Sequence, residues 1–190
     1  MHYSTHEDAT FPSGESVHSL RLSPEILRSL RRHHSFTEAW DACKRADWLV
    51  YIAASALASR GTPAHTRVVR AASACARKAL HSVPNTDDRP RVALDMVDQW
   101  CAGNTPLAAM HEAGLIARKA ADARWTAGSM AAVYTVDAVS FGLGDCLAVT
   151  VRDAAFQAVR ATASAQPGSF SEAMASLVPT VRAVLPAPFL

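Results

Sequence analysis

The chain has 190 residues, of which 49% are apolar and 19% charged, with a formal net charge of +2. That length suits one domain with a real core, and the composition excludes a disordered chain. With so small a charge, no basic arm and no interleaving of aromatic and basic residues, no nucleic-acid partner is expected.

No apolar core lies between Met1 and Gly14, so no signal peptide is expected. Trp48 to Ala58 is apolar but too short to span a bilayer, and the stretch 130–151 is interrupted by Asp137 and Asp145. The reading is a soluble, cytoplasmic protein with no membrane partner. Cys43, Cys75, Cys101 and Cys146 are widely spaced among alanines and apolar residues, and read as buried free thiols in a reducing compartment.

Alanine costs no side-chain entropy in a helix and is frequent from Ala42 to Ala165, while no strand-like alternation lasts. The expectation is an all-α, single-domain, alanine-rich bundle of about six to eight helices. Residues 1–20 read as a flexible arm and 21–190 as the helical domain.

In chain order, Ser23-Pro24-Glu25 opens a short helix that runs out near His33 and His34. Ser35 and Glu38 form a capping box ahead of Trp40 and Cys43. A break at Lys44-Arg45-Ala46 lets Asp47 cap a second helix, from Trp48 to Ser59, which Gly61 ends. Thr62-Pro63 opens a helix whose inner stripe is Val68, Val69, Ala72, Cys75, Ala76 and Leu80, with Arg67, Arg70, Arg77 and Lys78 facing outward. Asn85, Thr86, Asp87 and Asp88 offer acceptors to the first turn of a helix from Arg89 to Cys101. Pro90 is tolerated there, the aspartates suit the positive end of the dipole, and Gly103 is a natural stop. Thr105-Pro106 opens the next helix, and further helices are predicted near 106–124, 129–142 and 145–164. A turn at 166–169 leads to a last helix from Phe170 to Val178, with Pro179, Pro186 and Pro188 leaving the end irregular. Trp40, Trp48 and Trp100 sit on apolar stripes and are expected to be largely buried.

Catalytic motifs are missing: no Gly-rich phosphate loop after a strand, no His-Glu-x-x-His and no Gly-x-Ser-x-Gly. Asp137, Asp145 and Asp153 recur every eight residues, which capping and solvent exposure explain better than a metal. No catalytic residue, metal ligand or cofactor is assigned.

The acidic pair Asp87-Asp88, then Arg89-Pro90-Arg91, a helix, Trp100 near its end and Gly103 form a pattern. It resembles that of bacterial immunity proteins of polymorphic toxin systems, in the immunity-protein-five group, where the helix is alanine-rich. Trp40, Cys43, Asp47 and Trp48 are similar to an upstream segment of that family, and the likeness covers roughly 37–165. The resemblance implies an all-α protein without catalysis that binds and neutralises a cognate toxin in a stoichiometric complex. The first twenty residues have no counterpart in it. Two readings of the motif stand together. The aspartates cap and the arginines pair one turn on, as Arg91 with Asp95; or Asp88, Arg91, Asp95 and Asp98 lie at the toxin interface, with the basic 67–78 helix next in line. The alternative function is a small helical enzyme or apolar-ligand carrier using the interior between the 106–124 and 145–164 helices.

Overall fold

The structure, a computed structural model, describes residues 22–57, 62–140, 144–165 and 168–186. Among them are nine α-helices and no strand: α1 Pro24–Leu30, α2 Phe36–Ala42, α3 Ala46–Leu57, α4 Pro63–Ala79, α5 Arg89–Cys101, α6 Ala109–Ala123, α7 Ala127–Ser140, α8 Gly144–Ala165 and α9 Phe170–Val184. A 3-10 turn, Leu80–Ser82, extends α4. The all-α bundle expected from composition is what forms, with nine helices among the described residues where about six to eight were expected. The 1–20 arm, Gly61 and Pro188 lie outside the described residues.

Local chemistry sets most helix starts. Ser23, Ser35, Thr62 and Ser169 each place a side-chain oxygen on the backbone N–H three residues on. Ser169 and Glu172 complete a reciprocal capping box, whereas Glu38 reaches past Ser35 and accepts from the His34 N–H at 2.9 Å. At the end of α5, Gly103 takes φ +77°, and the bonds Gly103 N–H to Trp100 O and Asn104 N–H to Gln99 O satisfy two terminal carbonyls. Four boundaries differ from expectation. The helix α3 begins at Ala46, two residues before the expected Trp48, and Asp47 does not cap it: it lies in the first turn, its carboxylate accepting from Arg45 Nε and Nη2 at 3.2 and 2.8 Å. The carbonyls of Pro106, Leu107 and Ala108 accept successive i→i+3 bonds leading into α6, so the Thr-Pro pair does not cap it. The start of α7 comes two residues early, because Thr126 and Ser129 bond each other's backbone N–H groups at 3.0 and 3.1 Å. Pro179 does not end α9. The helix continues to Val184 because Val181 and Leu185 beyond the proline are fully buried.

Alanine decides how the helices meet. The long helix α8 packs on α3, α4, α7 and α9, and α7 packs on α4, α5, α6 and α8. Ala71, Ala72, Ala76 and Ala79 of α4, Ala131, Ala132 and Ala138 of α7, and Ala148, Ala154, Ala155 and Ala158 of α8 are all buried. Such small side chains let helix axes approach closely. At Gly128 the approach is closest, since a Cβ there would stand 2.6 Å from both Ala79 O and Val83 Cγ2. The helix α7 packs against both α6 and α8, filling the interior expected between those two. Among the described residues no helix is long and apolar enough to cross a membrane.

The C-terminal helix fastens the N-terminal ones. Arg182 Nη2 donates to the carbonyls of Trp40, Asp41 and Cys43 at 2.7, 2.6 and 3.1 Å, supplying partners for the open end of α2. Trp40 is 1% exposed as expected. Trp48 and Trp100 are only half-buried: the Arg45 guanidinium lies 4.3 Å over the Trp48 ring, and His65 meets Trp100 edge-on at 5.4 Å. Of the four cysteines, all free, Cys75 and Cys101 are buried and Cys43 is half-buried. Cys146 corrects the expectation of burial: it is exposed in the first turn of α8, on the same outward side as Val149.

Two outcomes follow from this packing. Gly128→Ala is expected to lower unfolding free energy by about 1–3 kcal/mol, because backbone at Ala79 must move to admit the methyl group; chemical denaturation checks it. Burial pushes the Cys75 thiol up to about 12 and the Cys101 thiol to about 11. Peptide mapping after brief alkylation at pH 8 is therefore expected to find Cys146 modified, and Cys75 and Cys101 modified only after unfolding.

Candidate partner-binding surface

The helix pair α4–α5 is joined by a polar seam. Ser73 and Arg77 sit one turn apart on α4, and Asp95 and Asp98 one turn apart on α5. Arg77 Nη2 donates to Asp95 Oδ1 at 2.7 Å, Arg77 Nε donates to Asp98 Oδ2 at 2.9 Å, and the Ser73 hydroxyl donates to Asp98 Oδ1 at 2.7 Å. One turn earlier, Arg70 Nη2 donates to the Cys101 carbonyl at 2.9 Å, at the open end of α5. Charge-assisted bonds of this kind are shorter and stronger than neutral ones. Asp95 and Asp98 retain side-chain exposures of 59% and 40%, yet their carboxylates are already engaged within the chain. The arginine on the outward side of α4 that sequence placed in solvent is their partner.

The Asp87–Arg91 turn divides by role. Asp87 accepts from the Arg89 backbone N–H at 3.2 Å and from Arg89 Nε and Nη2 at 2.7 and 2.8 Å, so one side chain caps the turn and grips a guanidinium with both oxygens. Arg89 Nη1 continues to the Lys119 carbonyl at 3.1 Å, tying the start of α5 to the last turns of α6. Pro90 is buried in the first turn. Asp88 occupies the N-cap position but has helical φ and ψ (−87°, −8°) and makes no capping bond, so the cap expected of the aspartate pair falls to Asp87 alone. Arg91 does not pair with Asp95, which Arg77 holds instead. Asp88 and Arg91 are exposed, and among the described residues their side chains form no hydrogen bond or ion pair.

These two free side chains belong to one end of the bundle. The Gly128 N–H donates to Ser82 Oγ at 2.9 Å, which sets the start of α7 on the 3-10 turn; Arg89 sets α5 on α6. The 83–88 loop, the start of α5, the end of α6 and the 124–126 link are thereby gathered. Trp125, in that link, is 70% exposed. Sequence reading passed over it because it lies off every helical stripe; its signal was a tryptophan in a polar link just before the Thr126 cap.

Elsewhere a groove of about 490 Å³ opens between α4, α8 and α9, lined by Lys78, His81, Thr162, Ser176, Leu177 and Thr180. His81 sets Nδ1 2.7 Å from Lys78 O and Nε2 3.0 Å from Ala161 O, bridging the ends of α4 and α8. Among the described residues no three His, Cys, Asp or Glu side chains gather as metal ligands would. Compared with family models, with curated proteins and with solved structures, the chain gives no significant match.

The Arg89 hydrogen bonds hold the Asp87 carboxyl below its ordinary value. A carboxyl lowered by folding adds stability that is complete above its unfolded value of about 3.9 and is lost as pH falls through the folded one. Arg89→Gln is therefore expected to raise the Asp87 carboxyl midpoint in a carbon-13 NMR titration and to make the start of α5 fray at a higher pH during acidification.

Proposed function

We propose that this protein is an immunity protein, which binds a cognate bacterial toxin stoichiometrically and covers or distorts its active site. The observation that carries the reading is the Asp87-Asp88-Arg89-Pro90-Arg91 turn: it resembles the immunity-protein pattern, and Asp87 with Arg89 closes the turn while the side chains of Asp88 and Arg91 stay free. Asp87 and Arg89 lock the turn to itself and to α6, leaving Asp88 and Arg91 exposed on rigid backbone. Side chains displayed this way lose little freedom on association, and an arginine fork is suited to gripping a carboxylate of the partner. Asp95 and Asp98 flank this surface, where the partner competes with Arg77 for them.

The test uses toxin domains encoded beside the gene, each made with its catalytic residue removed. Wild type is expected to form a one-to-one complex with one of them by calorimetry, and to restore growth when co-expressed with the active form. Replacing Asp88 and Arg91 together by Ala is expected to weaken that complex at least tenfold without changing the melting temperature. Asp98→Ala is expected instead to lower stability by about 1–3 kcal/mol, because Arg77 and the buried Ser73 hydroxyl lose their acceptor. If no neighbouring toxin binds, the reading fails.

A further inference from the structure

Trp125, at 70%, is far more exposed than any other large apolar side chain among the described residues, the next being Leu115 at 47%. The link that carries it is nonetheless held firmly. The Arg124 N–H donates to Ala120 O at 3.0 Å, and the Arg124 carbonyl accepts from Ser129 Oγ at 3.1 Å. On the other side Thr126 and Ser129 exchange backbone bonds, and Ser129 itself is 2% exposed. The backbone on both sides of the indole is fixed, so the ring is displayed and not merely loose. Tryptophan so placed is the side chain most often found to anchor protein interfaces, because it offers a wide apolar face and one N–H donor without much entropy to lose.

We infer that Trp125 is the anchor of the partner-binding surface, inserting into an apolar socket on a folded protein whose rim carries charges of both signs. This rests on the function proposed above and names the residue that supplies the affinity. The charge around it selects the partner class. At this end of the bundle Arg91, Lys119 and Arg124 are exposed cations and Asp88 and Asp122 exposed carboxylates, none of them in an ion pair among the described residues. A nucleic-acid strand would have to hold its phosphates against two free carboxylates, and would find one stacking ring where sequence-tolerant binders offer several. A protein surface with interspersed acidic and basic groups meets both signs at once.

The experiment compares wild type, Trp125→Ala, Trp125→Phe and the Asp88/Arg91 double alanine variant. Circular dichroism and melting come first, and Trp125→Ala is expected to match wild type in both. Each protein is then titrated with the catalytically dead neighbouring toxin domains, with a single-stranded oligothymidylate, and with itself in sedimentation runs. The expected result is a loss of toxin affinity of about 30-fold or more in Trp125→Ala, partly restored in Trp125→Phe. The fraction of wild-type fluorescence open to acrylamide is also expected to fall on binding. Toxin affinity unchanged in Trp125→Ala but reduced in the Asp88/Arg91 variant overturns the anchor and leaves the immunity reading standing. Failure of wild type to bind any of those toxins overturns both. Trp125-dependent binding of the oligonucleotide, or a self-association that Trp125→Ala abolishes, also overturns the anchor and assigns the ring to that other occupant.

Discussion

Close approach of α4, α7 and α8 through alanine is the constraint on which the remaining architecture rests. With methyl groups at the contacts, helix backbones come near enough that even one further carbon at Gly128 would meet a carbonyl oxygen at 2.6 Å. Contacts of this kind draw less on the burial of large side chains than on the number of atoms brought within dispersion range. They also leave little room for adjustment. The polar residues admitted to this interior are ones whose bonds are already arranged: the Thr135 hydroxyl donates to Ala131 O at 2.7 Å, and the fully enclosed His65 meets Ala138 O at 3.0 Å.

Around that centre the outer helices are attached by directional polar contacts. The helix α5 is joined to α4 by Arg70, Ser73 and Arg77, and to α6 by Arg89. Hydrogen bonds of this sort add modest stability when made and cost more when one partner is stranded. They act here chiefly as registration marks, fixing which turn of α5 faces which turn of α4. The same division holds for the Asp87–Arg91 segment, where two neighbouring residues of like charge have unlike fates because only one of each kind is needed to close the turn.

Much of the fold was legible because its signals are local. Helical periodicity and the side-chain caps at Ser23, Ser35, Thr62 and Ser169 act over three or four residues, and the glycine stop at Gly103 over five. What escaped is tertiary. Asp95 and Asp98 find their partner 18 and 21 residues away on α4, and no spacing rule within α5 points there. Pro179 reads as a stop until Val181 and Leu185 are known to be buried beyond it. The Thr126 cap was hidden because Ser129 stands where a glutamate or glutamine is the usual partner. Cys146 and Trp125 share one lesson: an apolar side chain on the outside is invisible to any argument that begins from hydropathy.

The grip of Arg182 on α2 spans 142 residues of sequence, and it bears on the order in which the chain can fold. During synthesis α1 and α2 are made well before α9, yet three carbonyls that close α2 wait for a donor on that later helix. Short helices have little stability alone, and loop closure over such a length is entropically costly until the intervening core exists. These two helices, made before the core helices, are therefore secured after them. Through that interval the apolar faces of α1 and α2, with Ile26, Leu30, Phe36 and Trp40, are exposed to chaperones and to neighbouring nascent chains.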